Sequence, residues 1–181
     1  MAEKQSGKKP IFKKAWFWVI IAVIVIGAII ASNNNQPTKI GEDGSSSQTE
    51  SANGDFKTGD IIKIDNQEIS VVTANMNYTT GKEYIKAADG KKYVKIDVQI
   101  KNTSNDKISY NVLYWEIEDE SGDITSYSAM AQADDGLGSG DLAAGGTKKG
   151  SIVFEVSDSS AKFKIHYKPN MWSSKEAVIN L

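Results

Sequence analysis

The chain has 181 residues, a formal net charge of −2, and neither cysteine nor arginine. This length favours one folded domain with additional segments. The missing cysteine excludes disulfides, thiolate metal sites, a cysteine nucleophile and a lipid-modified cysteine. Residues 1–31 carry a net charge of +4, which leaves −6 for the remainder. An acidic main body argues against a nucleic-acid partner, because phosphate binding needs a basic surface.

The first predicted element is a membrane-spanning helix at residues 15–31, a run without charged or strongly polar side chains. Such a helix is roughly 26 Å long, at the short end of what crosses a bilayer core of about 30 Å. Indole rings favour the membrane interface, and lysines preceding the span reach towards it from the cytoplasmic side. The predicted interface residues are Lys13, Lys14, Trp16 and Trp18. We therefore expect residues 1–14 to form a basic cytoplasmic tail, residues 15–31 to bind the lipid bilayer as a signal anchor, and the C-terminal domain to lie outside a bacterial cell membrane.

A cleaved secretory signal is the alternative for this segment. A basic start, an apolar run and Ala31 before the polar residues fit such a signal. Ile29, however, is not the small residue of an A-x-A cleavage pattern, and the apolar run exceeds the usual core of a signal peptide. A buried soluble helix is disfavoured because the run has no polar face. The retained anchor and the cleaved signal both place the main body outside the membrane.

Residues 32–57 are dominated by Asn, Ser, Gly, Gln and acidic residues. Such a segment buries too little apolar surface to offset the entropy of ordering it. We expect a disordered linker here, acting as a flexible stalk.

Residues 58–181 show strand patterns separated by turn signals. In "YVKIDVQIKNTS" apolar residues alternate with polar ones, which is typical of a half-buried strand. In "ISYNVLYWEIED" the alternation slips near Val112 and Leu113, which predicts a β-bulge. About seven or eight short strands without an amphipathic helix predict an all-β antiparallel sandwich. The predicted core residues are Ile62, Val71, Val94, Ile96, Val98, Ile100, Leu113, Trp115, Ile117, Ile152, Phe154, Val156, Phe163 and Ile165.

Four stretches carry a family resemblance: "GKKYVKIDVQIKNTSNDKISY", "WEIEDESGDITSY", "LAAGGTKKGSIVFEV" and "KFKIHYKP". Over residues 58–168 the chain resembles a bacterial domain-of-unknown-function family, number four-three-five-two in that series. The resemblance implies an extracytoplasmic, immunoglobulin-like sandwich behind a lipoprotein signal or one transmembrane helix. It also implies a distant likeness in fold to a secreted mycobacterial antigen. These motifs are structural, and they carry no catalytic residue.

The sequence gives no sign of catalysis or of a cofactor. His166 is the only histidine, and strand alternation places it on the solvent face. A catalytic triad would need this histidine in a pocket beside a serine nucleophile, and no G-x-S-x-G elbow is present. A glycine-rich acidic loop with Asp134, Asp135 and Asp141 offers oxygen ligands for calcium, but its spacing is not that of an EF-hand. A calcium-dependent envelope module, or an envelope enzyme using that loop, therefore stays an alternative.

Several aromatic residues exceed what a sandwich core needs and are candidates for binding a partner. They are Tyr78, Tyr84, Tyr110, Tyr114, Tyr127 and Trp172. The leading hypothesis is a non-enzymatic, membrane-anchored extracytoplasmic domain that binds an envelope protein or glycan. A cleaved and secreted module and a purely structural spacer are competing hypotheses.

Overall fold

The computed structural model describes residues 37–40 and 56–181, and within them all regular structure apart from one short 3-10 helix is β-strand. The strands are β1 (Thr38–Ile40), β2 (Phe56–Lys57), β3 (Ile61–Ile64), β4 (Gln67–Tyr78), β5 (Lys91–Asn102), β6 (Ile108–Asn111), β7 (Trp115–Asp119), β8 (Ile124–Ser126), β9 (Ser139–Leu142), β10 (Thr147–Ser157), β11 (Phe163–Tyr167) and β12 (Ala177–Asn180). Ten of these strands, β3 to β12, lie within residues 58–181, where seven or eight were predicted.

The strands form two five-stranded sheets and a ribbon. The first sheet has the order β1-β3-β4-β5-β10, and the second has the order β2-β12-β11-β7-β8. Strands β6 and β9 pair separately as the ribbon. All pairs are antiparallel except β2 with β12. One apolar cluster takes residues from both sheets, so the predicted all-β sandwich is confirmed, and the immunoglobulin-like assignment stays a prediction.

Alternate side chains of β5 point inward and form the centre of this core. Val94, Ile96, Val98 and Ile100 are each at most 1% exposed. In the second sheet, Trp115 of β7 packs on its cross-strand neighbour Tyr167 of β11, with ring centroids 4.4 Å apart. Burying one such side chain stabilises the fold by about 1.5–3 kcal/mol relative to its exposure.

One predicted core residue is wrong: Leu113 is 54% exposed, whereas Val112 is buried. The predicted bulge is a 3-10 helix over Val112–Tyr114. The Oδ1 atom of Asn111 accepts a hydrogen bond from the backbone N–H of Leu113 at 2.9 Å, which caps this helix. The helical turn shifts the phase of the chain, so Val112 faces the core and Leu113 faces solvent.

The described residues of the predicted stalk include two short strands, β1 and β2. Strand β1 pairs with the edge of β3, and Phe56 of β2 is only 2% exposed. Lys39 forms an ion pair with the buried Asp60 at 2.7 Å. Ile40 and Phe56 are the large apolar residues in the otherwise polar segment 32–57. The burial of Phe56 offsets part of the entropy that is lost when this end of the segment is ordered.

Within residues 37–40 and 56–181 no helix has the length and hydropathy needed to cross a membrane. The predicted anchor at residues 15–31, with its interface residues, and the cytoplasmic tail at 1–14 lie outside the described residues.

Candidate interaction surfaces

A β-turn between β11 and β12 exposes two large apolar side chains. The backbone N–H of Ser173 donates to the carbonyl oxygen of Asn170 at 3.2 Å, and the N–H of Trp172 donates to Asn170 Oδ1 at 2.9 Å. Asparagine at the first position favours such a turn. The central residues, Met171 and Trp172, are 71% and 93% exposed. Turns of this kind usually carry Gly, Asn, Asp or Ser, so the turn itself does not require these side chains.

The 3-10 helix supplies the neighbouring side chains of the same surface. Leu113 and Tyr114 line a shallow pocket of about 150 Å³ together with Met171. The carbonyl oxygen of Tyr114 accepts a hydrogen bond from the N–H of Lys168 at 3.0 Å, which holds the helix against the end of β11. We call Leu113, Tyr114, Met171 and Trp172 the Trp172 surface.

A charged cluster centred on His166 borders this surface. His166 Nε2 lies 2.6 Å from Glu118 Oε2, and its Nδ1 lies 3.1 Å from Glu176 Oε1. Because carboxylates only accept, both contacts are hydrogen bonds only when the imidazole carries two protons. Hydrogen bonds from His166 and then Lys164 hold the pKa of Glu118 below its ordinary value. The cluster joins β7, β11 and the residue before β12.

The outward direction predicted for His166 is confirmed, but the side chain is not freely exposed to solvent. The side chain is only 13% exposed because Glu118 and Glu176 flank it. Both ring nitrogens face carboxylates, so neither is directed at a hydroxyl nucleophile as a triad requires.

The six predicted aromatic residues divide among several places. Trp172 and Tyr114 belong to the Trp172 surface, and Tyr114 also packs partly buried against the main core, as do Tyr110 and Tyr127. Tyr110 leaves little room at Gly140, where an added Cβ would lie 2.8 Å from its hydroxyl oxygen. Tyr78 contacts a second apolar cluster, and Tyr84 is 83% exposed in the β4–β5 connection.

That second cluster lies on the outer face of the first sheet. Tyr93, Ala131 and Val153 are buried there, with Tyr78 and Ile85 packed against them. Beside it is a groove of about 570 Å³ between the ends of β4 and β5 and the connection 79–87. We call it the Tyr93 groove, and its lining includes Tyr78, Thr80, Lys82, Glu83, Ile85, Lys86, Ala87 and Tyr93.

The candidate calcium residues do not converge. Asp135 Oδ1 accepts from the hydroxyl of Ser151 at 2.6 Å, whereas Asp141 pairs with Lys107 at 2.9 Å. Asp134 is exposed. Among the described residues no three His, Cys, Asp or Glu side chains gather as metal ligands. The hydrogen bond from Lys107, followed by that from Ser109, lowers the pKa of Asp141.

Sequence reasoning missed Leu113, Met171 and Tyr93 as surface or groove residues. Met171 carried a usable signal, because an Asn-x-x-Ser turn with two apolar central residues is unusual. Tyr93 carried none, since strand alternation assigns a face but does not show which connection covers that face.

Comparison with protein families gives a match over residues 56–178 to the domain of unknown function DUF4352. This is the family whose resemblance the sequence motifs carry, so that prediction is confirmed. A comparison with curated proteins finds no significant match.

Solved structures with a similar fold come from bacteria. The yjhA protein of Bacillus subtilis is 18% identical, with a TM-score of 0.55 over 70% of this chain and 98% of that one. A candidate lipoprotein of Bacillus subtilis, ycdA, is 17% identical, with a TM-score of 0.54 over 65% of this chain; the match spans only 36% of ycdA. The secreted protein MPT63 of Mycobacterium tuberculosis is 12% identical, with a TM-score of 0.48 over 65% of this chain and 82% of that one. The first two likenesses concern the fold alone.

Proposed function

The chain belongs to the DUF4352 family of bacterial domains of unknown function, and from this premise we propose that it is a non-catalytic extracytoplasmic binding module. Residues 15–31 hold it on the outer side of the cell membrane. The Trp172 surface binds a protein partner of the cell envelope.

The exposed apolar side chains of the Trp172 surface carry this proposal. Leu113, Met171 and Trp172 are each more than half exposed. Leu113 and Met171 line one pocket, and Trp172 follows Met171 in the turn. Apolar side chains grouped in this way mark interaction sites more often than scattered ones do. Tryptophan is also among the residues that contribute most binding energy at interfaces.

The turn that carries Met171 and Trp172 is held by hydrogen bonds within the chain. Asn170 fixes it through both its carbonyl oxygen and its side-chain oxygen. A surface held in one conformation loses less entropy on association, which favours affinity. The polar border formed by His166, Glu176 and Lys168 fits the polar rim that surrounds the apolar centre of an interface.

The extracytoplasmic location is supported by the first part of the sequence. A basic start, the apolar run at residues 15–31 and an abrupt polar stop fit a retained anchor. The similar fold of a candidate lipoprotein agrees with a location outside the membrane. The secreted, cleaved form remains the alternative for this part of the proposal.

Site-specific photocrosslinking tests the partner. A photoreactive phenylalanine replaces Trp172 in the full chain, and intact cells are irradiated. We expect one discrete, protease-sensitive adduct, which decreases when Leu113→Ser or Met171→Ser is added. The matched control places the same group at Lys149, an exposed residue of β10, and should give no such adduct. Equal adducts at both positions would refute the proposed surface, and a muramidase-sensitive adduct would identify a cell-wall glycan instead.

Fractionation tests the anchor. A full chain with a C-terminal tag should remain uncut in the membrane fraction and lose its tag when protease is added to intact protoplasts. A shorter species in the medium that starts near Ser32 would instead establish the cleaved form.

A further inference from the structure

We propose that the Tyr93 groove is a binding site for a small amphiphile with one apolar chain and an anionic head group. The groove belongs to the first sheet, whereas the Trp172 surface is carried by the second sheet and its connections. The inference therefore does not depend on the proposed protein partner.

The groove has the size and the lining of a small-molecule site. Its volume of about 570 Å³ lies in the range of known ligand pockets, roughly 300–1,000 Å³. Tyr78, Tyr93, Ile85 and Ala87 present apolar surface along its lining. Ligand pockets are mainly apolar with a few polar groups, and the aromatic and aliphatic lining suits a hydrocarbon chain.

The wall of the groove is fixed by its own hydrogen bonds. The hydroxyl of Thr80 donates to the carbonyl oxygen of Ile85 at 2.9 Å, which closes the connection onto itself. The backbone N–H of Ala88 donates to Glu155 Oε1 of β10 at 2.7 Å, which fastens the other end to the sheet. Both bonds lie within the chain, and small-molecule sites are usually largely preformed.

The charged residues that line the groove favour an anionic head group. Lys82 and Lys86 are exposed and make no ion pair with the described residues, and Glu83 is the single acidic residue of the lining. Lys92 also lines the groove, but its ammonium donates to the carbonyl oxygen of Ser160 at 2.6 Å. Two ammonium groups beside an apolar surface favour a carboxylate or a phosphate at the end of a chain.

The test uses the full chain in nanodiscs and a decanoate probe that carries a diazirine on its chain. After irradiation, peptide mass spectrometry locates the labelled residues. We expect labelling within residues 77–93, suppressed by excess decanoate or decyl phosphate. The double variant Lys82→Gln, Lys86→Gln should reduce this labelling about tenfold, as expected for the loss of charge-assisted hydrogen bonds.

Two controls separate the groove from general partitioning into the bilayer. The matched variant Lys148→Gln, Lys149→Gln, on strand β10 of the same sheet, should leave the labelling unchanged. A decyl alcohol probe with the same diazirine should label residues 77–93 much more weakly. Labelling confined to residues 15–31 would overturn the proposal. So would a result in which the alcohol probe labels residues 77–93 as strongly as the decanoate probe does, and the decanoate probe labels the double variant as strongly as the unsubstituted protein. None of these outcomes bears on the crosslink at position 172.

Discussion

Tyr93 and Val94 are consecutive residues of β5 whose side chains leave opposite faces of the sheet, and both are buried, at 6% and 0% exposure. Val94 belongs to the core between the two sheets, whereas Tyr93 is covered by Ile85 and Ala131 from connections between strands. The first sheet is therefore packed on both faces at this end. The Tyr93 groove lies at the border of that outer layer.

The outer layer should contribute measurably to stability. Replacing Tyr93 with alanine removes a buried aromatic ring from a site that the connections can only partly refill, so we expect a loss of about 2–3 kcal/mol in the free energy of unfolding. Gln99→Ala, on the same face of β5 but half-buried, is the control and should change this free energy by less than about 0.5 kcal/mol. Urea denaturation measures both variants. Equal stability of the two would mean that the outer layer is only loosely packed.

The side-chain amide of Asn102 stabilises the turn after β5 through hydrogen bonds that an aspartate carboxylate cannot donate. The two protons of its Nδ2 are shared among three backbone carbonyls within hydrogen-bond distance, among them Leu142 at 3.1 Å and Ala143 at 3.0 Å, while its Oδ1 accepts from Ser104. Asn102→Asp places a carboxylate oxygen against carbonyl oxygens in a fully buried position. We expect a loss of about 2–4 kcal/mol in urea denaturation.

The control for that substitution lies in the same turn. Asn105 is exposed, so Asn105→Asp should unfold close to the urea concentration of the unsubstituted protein. A common midpoint for the two variants would contradict the role assigned to the Asn102 amide.

Asp119 should make stability depend on pH in the acid range. Hydrogen bonds, first from the hydroxyl of Ser121 and also from the backbone of Asp123, lower its pKa from 3.8 to about 2. A carboxyl group with a lowered folded-state pKa stabilises the fold above its unfolded pKa, and this contribution is lost as the pH falls towards 2. Asp119→Asn should therefore lower the melting temperature at neutral pH, and the difference from the unsubstituted protein should narrow between about pH 4 and pH 2.

Asp123→Asn controls for the loss of a negative charge in that turn, because Asp123 is exposed. Calorimetric scans across this pH range should show little difference for Asp123→Asn. A difference for Asp119→Asn that stays constant down to pH 2 would exclude titration of Asp119 as the cause.

The 3-10 helix predicts opposite outcomes for two neighbouring residues. Val112→Ala removes buried methyl groups and should cost about 1–2 kcal/mol of unfolding free energy. Leu113→Ala removes an exposed side chain and should change it by less than about 0.5 kcal/mol. Thermal unfolding of both variants decides between this arrangement and the continuous alternation expected from the sequence, for which the order would be reversed.

The core was predictable where apolar residues alternate without interruption, as from Val94 to Ile100. The prediction was wrong at Leu113 because a 3-10 helix shifts the alternation of inward and outward side chains. The sequence alone does not show where this helix lies. The prediction of surface aromatic residues was limited in the same way. Trp172 was identified as an excess aromatic, but Tyr127 packs into the core, since alternation cannot show which side chains a distant connection covers.

Strand β1 has a consequence for how the domain is isolated. The family match begins at residue 56, yet β1 at Thr38–Ile40 covers the edge of β3 and supplies Lys39 to the buried Asp60. A chain shortened to residues 56–181 would leave that edge open and Asp60 without its ammonium partner. Open strand edges pair with one another, so such a fragment should aggregate at concentrations where a fragment that starts before Thr38 stays dispersed.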